Sequence, residues 1–212
     1  MLTLLKRRFL NQAAYFISRL KLVRVLARLP KGAVVLDCGA NKGDITLLFA
    51  KKGAIVHSFE PDPLAFQMLL KRTQHFPNVK CYQKGVSNQN GRVKMFFHHG
   101  RTEREDIAFS VSSSIVSEKI NVNTNNYHEI EIISLSDFIK SLEQRVYILK
   151  MDVEGAELDI LEDLIENKVY EKIDLLLVET HEKKIPSHVE RLKRLKNIIS
   201  QNNINNIKLN WI

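Results

Sequence analysis

Residues Val34–Asp44, VVLDCGANKGD, set the strongest constraint on what this chain can become. An apolar run stops at an acid, Asp37. Glycines at 39 and 43 bracket a short turn, and Asp44 then opens a stretch with Ile45, Leu48 and Phe49 on one helical face. A strand with no polar alternation is buried on both sides, which is the signature of a parallel sheet with helices on both faces. The rest of the chain repeats the theme. Ile55–Glu60, Val79–Gln83, Val146–Met151 and Leu175–Glu179 read as strands. Helices are expected at Asp44–Lys52, after Asp62 with Pro63 in the first turn, from Ser136 or Asp137 to about Gln144, over Glu157–Asn167, and from Ser187 to about Asn202. Gly91 marks a turn before an extra strand at Val93–Phe97, and Ile130–Ile133 reads as a short strand. Residues 98–129 show no clear period and read as a long functional or mobile loop. The tail INNIKLNWI can add a last strand.

The chain of 212 residues is long enough for one α/β domain, expected over residues 31–212. Its two cysteines, Cys38 and Cys81, lie in apolar, strand-like settings and read as reduced core thiols, which implies a cytoplasmic protein. The sequence shows no cluster of closely spaced zinc ligands. The net charge of +8 has a single origin. Residues 1–31 carry Lys6, Arg7, Arg8, Arg19, Lys21, Arg24, Arg28 and Lys31 without one acid, and the remaining charges balance. A neutral body argues against a broad nucleic-acid face, so nucleic acid is not the expected partner. Residues 1–30 read as a separate basic, amphipathic helix, with Leu2, Leu5, Phe9, Ala13, Phe16, Leu20 and Val23 near one stripe. Charge interrupts the segment too often for a bilayer span, and it lacks the unbroken apolar core of a secretory signal. Three readings stay open: a helix packed on the domain, a helix on an anionic membrane surface, or an organelle-targeting peptide.

Parallel sheets bind ligands beyond the carboxyl ends of their strands, where strand order reverses. The polar residues of this chain gather at such ends. Asp37 and Glu60 close the first two strands, Asp152 and Glu154 follow the strand at 146–151, and Glu179 and His181 close the strand at 175–179. Carboxylates beside apolar runs are costly unless a ligand, a metal or a donor satisfies them. The turn GANKG is neither the dinucleotide fingerprint nor a phosphate loop. Glu60 lies 17 residues after Gly43, where an acid can take both hydroxyls of a ribose. Together they point to a nucleoside ligand without a diphosphate.

VVLDCGANKGDIT resembles the S-adenosylmethionine-binding motif of class I methyltransferases. FEPDP at Phe59–Pro63, KMDVEGAEL at Lys150–Leu158 and VETH at Val178–His181 are similar to the FkbM family within that class. KGVSN, NGRV, SSSI at Ser112–Ile115 and SLSDFI, the last with Ser134 and Ser136 as departures, extend the likeness over residues 33–182. The resemblance implies a Rossmann-like fold with a mostly parallel seven-stranded sheet, one antiparallel edge strand, helices on both faces, and S-adenosyl-L-methionine as cofactor. It implies that Asp37, Gly39, Ala40, Asn41 and Gly43 line the methionine side, that Glu60 and Pro61 hold the ribose, that Val86 and Ser87 lie near the adenine, and that Asp152 borders the cofactor. It also implies O-methylation of a sugar, a glycan or another small natural product.

Such a transfer needs a base for the acceptor hydroxyl. Asp152, Glu154, Glu179 and His181 are the candidates, and His181 alone has an ordinary pKa near neutrality. It is read as the base, tuned by Glu179 or Asp152, with Ser113, Glu154 and His181 toward the substrate. Asp152, Glu179 and His181 as ligands of a divalent metal form a second mechanism. Glu157 and Asp159 read as acids that favour a helix N-terminus. An RNA methyltransferase and an inactive cofactor-binding module remain alternatives, although a base-amine motif of the Asn-Pro-Pro-Tyr type is absent.

Overall fold

The computed structural model describes residues 21–98, 114, 120 and 122–209, with backbone alone at 97–98 and 122–126. Six strands build the main sheet: β1 (Val34–Cys38), β2 (Ile55–Phe59), β3 (Val79–Tyr82), β7 (Val146–Met151), β8 (Ile173–Val178) and β9 (Ile207–Lys208). Their order is β3-β2-β1-β7-β8-β9, and every neighbouring pair is parallel. β4 (Gly85–Ser87), β5 (Gly91–His98) and β6 (Val122–Ser134) form a second sheet in the order β4-β6-β5.

Two expectations change here. The main sheet has six strands among the described residues rather than seven, and none of its pairs is antiparallel. β9 follows a helix, and a strand reached by a helical crossover returns parallel to its neighbour. The antiparallel pairing sits instead between β5 and β6 in the small sheet. The second change concerns the supposed loop at 98–129. β5 runs to His98, and β6 begins at Val122 rather than Ile130. Hairpin-type pairing holds this strand, and its residues Tyr127, His128 and Glu129 stay exposed, so no apolar alternation announced it.

Helices cover both faces. α1 (residues 21–28), α2 (Asp44–Lys51) and α3 (Pro63–Thr73) precede the small sheet. α4 (Leu135–Ser141), α5 (Glu157–Glu166) and α6 (His188–Gln201) follow it, with a 3-10 turn at Val169–Lys172. Alternation along β1 shows the two-sided burial directly. Val34, Leu36 and Cys38 pack with Leu135, Leu158, Leu161 and Leu192 on one face, while Val35 packs with Phe49, Ala50 and Ile148 on the other. Leu22, Val25 and Leu26 of α1 join that second face, and the Tyr147 hydroxyl donates to the carbonyl of Arg28 at 2.9 Å. The described end of the basic N-terminal segment therefore rests on the domain; residues 1–20 lie outside the described residues. Among the described residues no helix is long and apolar enough to cross a membrane.

Local chemistry fixes the helix starts. Asp62 accepts from the amides of Leu64 and Ala65 at 2.9 and 3.1 Å, with Pro63 in the first turn. α4 is capped by Ser134, which accepts from the amide of Asp137 at 3.1 Å, and not by Ser136 or Asp137 as the sequence suggested. Ser134 is the extended residue at the end of β6, whereas Ser136 is already inside the helix and donates to Asp163.

Gly39 closes β1 with φ of 74°, and a Cβ there would lie 1.8 Å from the carbonyl oxygen of Asp152. The turn after β1 is thus pressed against the end of β7. Gly32 has a similar φ of 79° but open space around it. Gly39→Ala combines left-handed strain with a backbone clash and should cost roughly 2–5 kcal/mol, against about 1 kcal/mol for Gly32→Ala. Denaturant melts of the two variants test this; equal losses would mean that the close approach does not exist.

Candidate active site

The strand order reverses between β1 and β7, and the turns after these strands face one another there. The amides of Gly39 and Ala40 both donate to the carbonyl of Phe59 at 3.0 Å, which ties the first turn to the end of β2. Asn41 adopts a left-handed φ of 49° and donates its amide to Glu60 Oε2 at 2.7 Å. Glu60 Oε1 accepts from the amide of Asp62 at 2.8 Å. The acid at the end of β2 is therefore fastened to the glycine turn. Burial pushes its pKa up to about 7, although the two amides and, more weakly, Lys150 pull the other way.

A cleft open to solvent lies over this turn. Of the residues expected around the cofactor, Gly39, Asn41, Glu60, Pro61, Val86 and Asp152 line it. Met95, Ile130 and Ile132 of the small sheet supply an apolar wall. Asp37, Ala40, Gly43 and Ser87 are not among the lining residues. Asp37 is fully buried beneath the turn, where its Oδ2 accepts from the Thr46 hydroxyl at 2.6 Å and its Oδ1 lies 3.3 Å from Lys150 Nζ. Ala40 is buried, Gly43 lies against Leu69, and the Ser87 hydroxyl donates to Asn88. An apolar wall and a buried acid beside a left-handed turn suit an adenosyl group.

Lys150 holds the two halves together. It is buried within β7 and donates to the carbonyl of Gly39 at 2.8 Å, while its ammonium lies 3.3 Å from Asp37 and 3.7 Å from Asp152. Burial alone would lower its pKa, but Asp37 and then Asp152 outweigh that and hold it charged.

A second group gathers around His181, which is buried just beyond β8. Its Nδ1 donates to Glu157 Oε1 at 2.8 Å. Glu157 is itself fully buried and accepts from the amides of Val153 and Gly155, which shapes the turn after β7. The other ring nitrogen, Nε2, lies 3.0 Å from Glu154 Oε2, 3.8 Å from Asp152 Oδ1 and 4.0 Å from Glu179 Oε1. The four candidates from the sequence thus converge. Burial works against a proton on His181, but Glu154 and Glu157 override it and raise the pKa to about 10. Burial also raises Asp152, with Lys150 opposing and Glu154 adding to the rise. Glu179 is pushed up to about 7 by burial and by the Asp152 charge.

Ser113, expected toward the substrate, lies outside the described residues. Its neighbour Ser114 donates its hydroxyl to the carbonyl of Glu154. Sequence reasoning passed over two residues. Lys150 had a signal, a cation inside an otherwise apolar strand, which burial permits only when it is paired. Glu157 had none beyond its place in KMDVEGAEL, because an acid in a first helical turn is common for dipole reasons alone. Asp159 does follow the ordinary pattern and pairs with Arg191 at 2.7 Å.

Lys150→Met would keep the bulk but strand Asp37 and Asp152 without their cation, at an expected cost of about 3–5 kcal/mol. Equilibrium unfolding measures it, and a loss below 1 kcal/mol would contradict the bridging role.

Residues 37–202 match the model of the FkbM methyltransferase domain. A protein named Methyltransferase 1 from Beauveria bassiana is 28% identical over 169 residues, covering 70% of this chain and 68% of that one. Methyltransferase sdnD from Sordaria araneosa is 24% identical over 181 residues, covering 74% and 70%. An rRNA methylase from Streptococcus thermophilus, known from its crystal structure, is 11% identical with a TM-score of 0.43 over 80% of this chain and 75% of that one. With its family motifs in order along one parallel sheet, the chain belongs to the FkbM family of methyltransferases, which use S-adenosylmethionine as methyl donor.

Proposed function

We propose that this chain methylates a hydroxyl group of a sugar, a glycan or another small natural product. One observation carries the reading: the cleft that suits the donor is walled on one side by the carboxylates of Asp152 and Glu154, with Glu157, Glu179 and His181 behind them. Hydroxyl groups donate hydrogen bonds to carboxylates, so an alcohol acceptor is held there and loses its proton there. A polyphosphate chain would meet like charge at the same wall, which speaks against RNA as acceptor.

The residues divide the work. Glu60 accepts from the ribose hydroxyls, the Gly39–Asn41 turn lets the backbone come close, and Val86 with Met95 and Ile132 gives the adenine an apolar surface. S-adenosylmethionine, when bound, supplies an electrophilic methyl group. Asp152 and Glu154 orient the acceptor oxygen toward that side of the cleft. His181, marked by the sequence as the base, is held protonated by Glu154 and Glu157, so Glu179, pushed up to about 7 and 4.0 Å from Nε2, takes the acceptor's proton beside it. His181 Nδ1 is committed to Glu157, so the ring meets the other carboxylates through Nε2.

Incubation with S-adenosylmethionine and a panel of sugars, lipid-linked sugars, polyketide alcohols and RNA, read by mass spectrometry, tests the assignment. A gain of one methyl on an alcohol oxygen is expected. Transfer to a nucleobase, or binding of the donor without transfer to anything, would replace this reading by one of its alternatives. His181→Asn should abolish transfer while leaving donor affinity unchanged in calorimetry; full turnover would remove His181 from the mechanism.

Glu60 generates a pH prediction. Its carboxylate form, which can accept from both ribose hydroxyls, exists above about pH 7 and is lost as pH falls through that value. Donor affinity should therefore be roughly tenfold weaker at pH 6 than on a plateau well above 7. Glu60→Gln should bind the donor about 10–100-fold more weakly and flatten the profile. Calorimetric titrations across this range measure both, and affinity unchanged with pH in the unsubstituted chain would contradict the role.

A further inference from the structure

We propose that Asp152, Glu154 and Nε2 of His181 form a site for one hard divalent cation, of the magnesium or manganese class, at the edge of the donor cleft. The geometry of the imidazole is the first argument. His181 is 4% exposed, and its Nε2 is fully buried with no directed hydrogen bond, yet it faces oxygens of Glu154, Asp152 and Glu179 at 3.0, 3.8 and 4.0 Å. Ligand atoms about 2.1–2.4 Å from a shared ion stand about 3 Å or more from one another, so these separations suit donors converging on one ion. Asp152, Glu157 and His181 each offer a donor atom within 4.8 Å of the others.

The partner of Nδ1 is the second argument. Glu157 accepts that N–H together with two loop amides, which fixes the tautomer and the tilt of the ring. A carboxylate behind an imidazole is the usual outer support of a metal-binding histidine. Glu157 is thus the positioning residue, and Glu154 takes the place toward Nε2.

Charge is the third argument. Asp152, Glu154, Glu157 and Glu179 surround one ring. Lys150 is shared with Asp37, and Lys184, 3.6 Å from Glu154, is 43% exposed and screened by water. A cation of charge +2 at Nε2 meets that cluster of acids in place of the ring's own proton. Oxygen donors outnumber the single nitrogen, which favours magnesium or manganese over zinc.

The ion's part in transfer rests on the hydroxyl-acceptor reading; the ion site itself does not. With the acceptor hydroxyl as a further ligand, the ion withdraws electron density from the O–H bond, and the proton passes to Glu179. The oxygen lone pair forms the bond to the methyl carbon as the carbon–sulfur bond breaks, with that electron pair left on sulfur.

The test titrates EDTA-stripped full chain with manganese, read by loss of the free-ion signal in electron paramagnetic resonance, without donor or acceptor. One saturable ion per chain, displaced by excess magnesium, is expected. Glu154→Gln and Glu157→Gln should each weaken it about 10–100-fold, the latter through the ring. Thermal melts and circular dichroism spectra matching the unsubstituted chain confirm that the variants are folded. No saturable binding to the folded chain, or equal binding by Glu154→Gln, overturns the site. Transfer to an alcohol that proceeds fully in EDTA overturns the ion's part in chemistry and leaves the acceptor reading standing. Saturable manganese binding with transfer only to nitrogen acceptors supports the site and overturns the acceptor reading instead.

Discussion

A single buried ammonium joins the ends of two central strands. Lys150 reaches from β7 across to the turn after β1, where it donates to the carbonyl of Gly39 and faces the carboxylate of Asp37, and it faces Asp152 at the end of its own strand. These strands flank the point where the sheet reverses order. Two turns that must stay open for a ligand cannot pack against each other through side-chain bulk. A charge placed beneath them holds the spacing. The absence of a Cβ at Gly39, close to the carbonyl of Asp152, lets the turns approach. Removing either feature acts on both turns, because each is defined by contact with the other.

That arrangement separates two kinds of acid. Asp37 is consumed by the scaffold, with one oxygen on Thr46 and the other beside Lys150. Glu60 is half consumed: each oxygen accepts one amide, and each keeps capacity toward the cleft. Asp152 and Glu154 are 28% and 17% exposed in their side chains and face the cleft. The buried, paired acids thus stand at the ends of β1 and β2, and the accessible, crowded ones follow β7 and β8.

The sequence announced the first kind of site more clearly than the second. The glycine turn and Glu60 were legible because their roles are local: a strand, a turn, a helix and an acid at the next strand end fix the geometry within 30 residues. The convergence of Asp152, Glu154, Glu179 and His181 was also legible, since all four sit at carboxyl ends of neighbouring parallel strands. The hidden parts depend on depth. Nothing in LDCGA says that Asp37 points under the turn rather than into the cleft; the Thr46 hydroxyl and Lys150, 113 residues away, decide that. Glu157 looked like a dipole acid because its amide partners are an ordinary feature of a first turn; its link to His181 crosses 24 residues. The small sheet escaped for a different reason. Its outer face is polar, so its strands carry half a pattern, and β6 was legible only around Ile130 and Ile132 where it covers the cleft.

The crowding around His181 also constrains how its chemistry can be apportioned. Four carboxylates, one ring and one lysine are linked by contacts of 2.8–4.0 Å in a largely buried volume, where interactions are strong and mutually dependent. Removing Glu157 frees the ring to rotate, and removing Glu154 leaves Nε2 facing Asp152 and Glu179 alone. Neither change deletes one contribution while preserving the rest, so single substitutions will sum to more than the whole. Lys150 extends the dependence to Glu60, since it also bears on that carboxylate from beneath the turn. Lys150 thus meets the glycine turn, Asp37 and Asp152 while lining no part of the cleft.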